Sequence, residues 1–289
     1  PGPPGVNTMN QKRLVLLLLV LVAALTAAPT AVAEHDQAAL HYYVALGDSL
    51  AAGSEQGGNP DDYVDQLFAD LSQADSTLRL VRFGCGGEST TTMISGSLPW
   101  EGRGERYFCS YPHGSQLADA VSFLRAHRPF VSLVTIDVGA NDVLHCVIRL
   151  DQACLADGLA GIAQNLPLIL AALRQAAGPD VPIVGANYYN PFLAFWFASP
   201  AAAAATNQMV VGQVNPVLEA AYAEAGSPVA DIEAAFSTTD WTLVDGIPLN
   251  VLRICQWTSM CAPPPLGPDI HPNTAGHSVL AHAFEAALP

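Results

Sequence analysis

Short runs rich in Val, Ile and Leu alternate with stretches of helical periodicity along this chain, and the alternation restricts it to a narrow set of folds. Residues 42–46, 78–83, 131–138 and 181–186 carry few charges, as parallel strands covered on both faces should. A shorter run at 228–232 brings the number to about five strands. Between the first two, Val64, Leu67, Phe68 and Leu71 repeat at helical spacing behind Asn59-Pro60-Asp61-Asp62. Proline at a first helical position and carboxylates in a first turn mark a helix start there. Further helices are expected at 117–126, 155–177, 211–225 and 274–288, the last burying Val279, Leu280, Ala283 and Phe284. The pattern predicts an α/β fold, a three-layer α/β/α sandwich around a central, mostly parallel sheet. Ligands of such sheets gather at the carboxyl ends of the strands.

The N-terminal segment reads as an address. Lys12 and Arg13 precede an unbroken apolar stretch from Leu14 to Leu25, and Ala31-Val32-Ala33 supplies small residues for cleavage. That is the layout of a secretory signal over residues 9–33. Twelve uninterrupted apolar residues are short for a retained anchor, which needs about 20. Residues 1–8 precede Met9 and are read as an upstream extension. Residues 34–289 suit one domain with a sizeable core. The formal charge is −15, and removing Lys12 and Arg13 with the signal takes it to −17. Such a surface repels nucleic acid and anionic membranes, while neutral substrates meet no such barrier.

Four short segments could supply chemistry. Gly47-Asp48-Ser49-Leu50 closes the first apolar run, placing a serine where a buried strand ends and a loop begins. Gly84-Cys85-Gly86-Gly87-Glu88-Ser89-Thr90 follows the second run, Gly139-Ala140-Asn141-Asp142 the third, and Asp269-Ile270-His271-Pro272-Asn273 lies near the C-terminus. Ser49, Gly87 and Asn141 would therefore share one rim of the sheet.

In this order the four segments resemble the sequence blocks of the SGNH (GDSL) hydrolase family, over roughly residues 42–288, and in particular its secreted bacterial esterases and lipases. The resemblance implies the flavodoxin-like SGNH fold and ester hydrolysis through an acyl-enzyme, with no metal or organic cofactor. Ser49 would be the nucleophile and His271 the base that takes its proton. The oxyanion hole would draw on the backbone N–H of Ser49, the N–H of Gly87 and the side-chain amide of Asn141. Gly84 and Gly86 compete with Gly87 for that role; Gly87 fits the family pattern best. The acid departs from the pattern. The family places aspartate three residues before histidine, which here is Pro268, whereas Asp269 lies two before. Either Asp269 reaches the ring of His271, or a main-chain carbonyl near Pro268 orients it. Asp48 and Asp142 are read as loop anchors, and His277 and His282 as exposed helix residues.

Six cysteines, Cys85, Cys109, Cys146, Cys154, Cys255 and Cys261, favour disulfides in an exported chain. Of the 15 pairings open to six cysteines, joining neighbours (85–109, 146–154, 255–261) needs only local loops and is the expectation. The spacings do not match paired zinc ligands. Bridges at Cys85 and Cys146 would stiffen the loops holding the oxyanion donors. Residues 188–197 are dense in aromatics and form either an apolar wall beside the site or packing for a long loop. The expected substrate is a small-molecule or lipid carboxylic ester, met by a secreted monomer that contacts lipid surfaces at most transiently. A carbohydrate O-acetyl esterase would use the same machinery. A non-catalytic binding protein on this scaffold need not bring Ser, Asn and His together, and the block order argues against a serine peptidase.

Overall fold

A computed structural model describes residues 1–2, 40–53, 61–96 and 109–289. The expected signal at 9–33, nearly all of the upstream extension, and Pro60 lie outside the described residues. From residue 40 onward the described residues belong to one unit of the chain, 39–289.

Five strands form a wholly parallel sheet in the order β2-β1-β3-β4-β5: β1 (His41–Gly47), β2 (Leu78–Arg82), β3 (Val131–Asp137), β4 (Ile183–Ala186) and β5 (Val229–Ala230). All four residues of β4, the last five of β1 and six of the seven in β3 are buried. These strands need no alternation because both faces are covered. Edge strand β2 is mostly half-buried and carries Arg79 and Arg82, and charge of this kind discourages pairing with another chain. A separate two-stranded ribbon joins β6 (Leu243–Val244) to β7 (Ile247–Pro248).

The helices are α1 (Ser49–Ala52), α2 (Tyr63–Ala74), α3 (Thr90–Ser95), α4 (Gln116–His127), α5 (Ala140–Arg149), α6 (Gln152–Ala177), α7 (Pro200–Met209), α8 (Asn215–Glu224), α9 (Ile232–Ala235), α10 (Leu249–Trp257) and α11 (Thr274–Ala286). Helices α2 and α11 pack together, with Tyr63 stacked on Phe284 at 4.7 Å, while α3, α4, α5 and α8 pack on α6. This is the three-layer arrangement expected. Helix α2 starts at Tyr63, with Asp62 as its N-cap accepting from the Asp65 N–H, so the capping carboxylate rather than the proline sets its start. The helix expected at 211–225 is α8 over most of its length, preceded by a π-helical turn, Val210–Val214, that joins it to α7. In α11, Leu280 and Phe284 are buried and Val279 and Ala283 half-buried.

The strand order reverses its direction of growth between β1 and β3. Crevices at such switch points, outside the carboxyl ends of the strands, are where open α/β sheets bind ligands. Ser49 follows β1 and Asn141 follows β3. Disulfides join Cys85 to Cys109, Cys146 to Cys154 and Cys255 to Cys261, the neighbour pairing expected.

Candidate active site

The turn that presents Ser49 is fixed from three sides. Gly47 has φ 142°, and a side chain there would run into the Asp137 carboxylate and carbonyl, so the position requires glycine. The Asp48 N–H donates to both the carbonyl and Oδ1 of Asp137, each at 3.0 Å. The Gln116 amide brackets Gly47, accepting from its N–H at 2.8 Å and donating to its carbonyl at 3.0 Å. Asp48 caps α1 by accepting from the Leu50 N–H at 3.0 Å, and its Oδ2 accepts from the Tyr188 hydroxyl at 3.1 Å. Asp137 Oδ2 in turn accepts from the Tyr63 hydroxyl. Both carboxyls are buried, which raises their pKa values, and the neighbouring Asp48 raises that of Asp137 further. A charge on one of these buried carboxyls disfavours a charge on the other.

His271 reaches this turn from the loop before α11. Its Nδ1 lies 2.6 Å from Asp269 Oδ1, and its Nε2 lies 2.8 Å from Ser49 Oγ. An ionised carboxylate only accepts, so Nδ1 carries the ring proton and Nε2 is left to accept from the serine hydroxyl. The hydrogen bond from His271 holds the Asp269 carboxyl below its ordinary range. The two-residue spacing works because Asp269 Oδ1 also accepts the backbone N–H of His271 at 2.8 Å. One oxygen thereby serves both main chain and ring of the same residue, in the manner of an Asx turn. The loop is tied down by Asp269 N–H to Ser259 O and Ser259 N–H to His271 O, both 3.1 Å, and by the Tyr189 hydroxyl donating to Ile270 O at 2.7 Å.

Asn141 stands in the first turn of α5 and donates from Nδ2 to the Glu88 carbonyl at 3.0 Å. Gly87 occupies the third position of the turn Cys85–Glu88, closed at 3.2 Å, with φ 79°; a turn with a left-handed third residue favours glycine. Asn141 and Ser49 line the cavity beside the serine, and Gly87 is not among its lining residues. Gly84 is needed for packing, since a Cβ there would come within 2.7 Å of the α1 backbone at Ala51 and Ala52. Asp142 accepts from both the backbone and hydroxyl of Thr90, at 2.9 and 2.6 Å, and so fastens α3 to α5.

The aromatic stretch divides. Tyr188, Tyr189, Pro191 and Phe192 line the cavity, Leu193 is fully buried and Phe197 is exposed. His282 is exposed as expected, but His277 is not. Its Nδ1 accepts the Tyr63 N–H at 3.3 Å, and burial pushes its pKa down to about 4. It faces the core because α11 turns that side onto α2. His145 lies near Cys146 and Cys154 in a group with metal-ligand potential, but sulfurs joined in a disulfide have no thiolate to give.

Several residues at this site escape a reading of the sequence. Asp137 looks like a strand terminus, Gln116 like an ordinary first-turn residue, and the two tyrosines like packing. Only the Asn-Tyr-Tyr-Asn run at 187–190, polar and aromatic together behind a strand, carried a usable signal.

A family model described as GDSL-like Lipase/Acylhydrolase family matches residues 45–279. Among solved structures, a lipase from a goat rumen metagenome superposes with a TM-score of 0.55 at 17% identity, covering 86% of this chain and 97% of its own. A GDSL-like lipase from Parabacteroides merdae, described as putative, gives 0.54 at 12%, covering 86% and 95%. An acetylxylan esterase from Geobacillus stearothermophilus gives 0.50 at 18%, covering 86% and 94%. At such identities the likeness is one of fold. No curated protein matches the chain significantly.

Proposed function

The chain belongs to the GDSL-like lipase/acylhydrolase family and is a carboxylic ester hydrolase, and from that premise we propose that it works through an acyl-enzyme on Ser49. The observation that carries the reading is the line Asp269 Oδ1, His271 Nδ1, His271 Nε2, Ser49 Oγ, with links of 2.6 and 2.8 Å. As Oγ attacks the ester carbonyl, Nε2 takes its proton, and the ionised Asp269 stabilises the imidazolium that forms. The proton then passes to the alcohol oxygen as the C–O bond breaks. Water, deprotonated by the same nitrogen, releases the acid and restores Ser49.

The oxyanion of each tetrahedral intermediate would be met by the Ser49 N–H and by the second N–H of Asn141, whose first is spent on Glu88 and so fixes the amide's direction. Gly87 is the third proposed donor, two residues past Cys85 and next to the carbonyl that Asn141 grips. We assign residues 9–33 to a secretory signal and 34–289 to one hydrolase domain, exported as a monomer. Three disulfides are consistent with an oxidising compartment. Ser49→Ala tests the mechanism. Hydrolysis of p-nitrophenyl esters should fall about 10⁴-fold or more, with the melting temperature unchanged. Retention of more than a tenth of the rate would remove Ser49 from the chemistry.

A further inference from the structure

A cavity open to solvent lies beside Ser49. Its wall is graded. Ser49, Asn141, Leu144, Pro191, Ile270 and His271 are half-buried and stand at the mouth. Leu50, Val143, Val147, Phe192, Val210 and Val214 are buried behind them. Among the described residues, no lysine, arginine or glutamate lines the cavity. The carboxylate of Asp48, which does line it, is engaged by the Leu50 N–H and the Tyr188 hydroxyl. The Tyr188 and Tyr189 hydroxyls are likewise engaged, by Asp48 and the Ile270 carbonyl, so the reacting atoms sit at the entrance of a mainly apolar recess. A methyl group would leave most of that wall without a partner.

Two elements shape the recess. Val143 and Val147 lie one turn apart on α5 and face the same way. Val210 and Val214 are the first and last residues of the π-helical turn, which closes with the Asn215 N–H donating to the Val210 carbonyl. Widened turns of this kind collect at functional sites. Valine is stiff about χ1, so four of them make a boundary that yields little.

We propose that this recess is an acyl-chain site for unbranched aliphatic acids longer than acetate, and that Val143, Val147, Val210 and Val214 set the length it accepts. The assignment rests on acyl transfer to Ser49 and names the side of the ester the site reads, the acid rather than the alcohol. Each methylene drawn from water into the recess is worth about fourfold in kcat/KM.

The test is a p-nitrophenyl ester series from acetate to dodecanoate, with kcat/KM divided by the hydroxide-catalysed rate of each ester. The value should rise more than tenfold from acetate to butanoate and then level or fall once the chain outgrows the recess. Val214→Phe should lower the hexanoate-to-acetate ratio at least tenfold. Should the larger ring prevent folding, Val214→Ala supplies the opposite change and should move the optimum to a longer chain. A flat or falling profile from acetate in the wild type, or an unmoved ratio in the folded variants, overturns the acyl-chain site and leaves the Ser49 mechanism standing. Failure to hydrolyse any ester of the series overturns the Ser49 mechanism, and the acyl site with it.

Discussion

Ser49 and His271 meet across 2.8 Å, yet the segments that bring them together are held in different ways. The serine turn is buried: Asp48 and Asp137 are at most 2% exposed, and Gln116, Tyr63 and Tyr188 hydrogen-bond to Gly47, Asp137 and Asp48. The histidine loop is on the surface, with the side chains of His271 and Asp269 38% and 50% exposed. It is held by two backbone bonds to Ser259, one tyrosine hydroxyl, and the Cys255–Cys261 bridge in the preceding segment. The nucleophile is thus part of the folding core, while the base is a local device docked onto it. Changes on the first side should register mainly in stability, and changes on the second mainly in turnover.

The largest effect that would sharpen this contrast is expected from Asp269→Asn. Its kcat should fall about 10²- to 10³-fold, less than for a fully buried acid because water partly replaces the carboxylate. The melting temperature should stay within about 2 °C of wild type, since exposed substitutions cost little. Steady-state kinetics paired with thermal melts decide it, and a rate within a few-fold of wild type removes Asp269 from the site. Asp137→Ala should show the reverse. It leaves the Tyr63 hydroxyl without its acceptor and takes one from the Asp48 N–H, so roughly 2–3 kcal/mol of stability should go, or about 5–10 °C in melting temperature. An unchanged melt would break the claim that the serine turn is a core element. The smallest effect is expected from Tyr189→Phe, which keeps the ring stacked on Phe236 at 4.4 Å but frees the Ile270 carbonyl. A five- to tenfold loss in kcat with KM and melting temperature nearly unchanged would show that this hydroxyl positions the base; a change confined to KM would make it a pocket residue only.

The same division explains what could be read from the sequence. The inner strands β3 and β4 were legible because burial on both faces leaves runs rich in Val, Ile and Leu, and edge strand β2 because its leucines and valine still stand out beside two arginines. Ser49, Asn141 and His271 were legible because each sits in a short block at a strand end or before a helix. The two-residue spacing of Asp269 and His271 left the ring's partner open, since reach depends on a turn, and here one carboxylate oxygen bonds main chain and ring together. Asp137 was invisible because nothing local marks a strand-end carboxylate as paired with another 89 residues away. His277 misled for a related reason. Its neighbours suggest a solvated face, and only the docking of α11 on α2 turns it inward. The π-turn at Val210–Val214 interrupts a pattern whose apolar spacing fits a continuous helix.

Labelling the folded protein with a fluorophosphonate and locating the adduct by peptide mass spectrometry tests the central claim most directly, because the probe needs an activated hydroxyl, its base and a place for the oxyanion at once. The account predicts one adduct per chain, on Ser49, and its loss in His271→Ala. An unlabelled protein that still hydrolyses esters, or an adduct on any other residue, would contradict it.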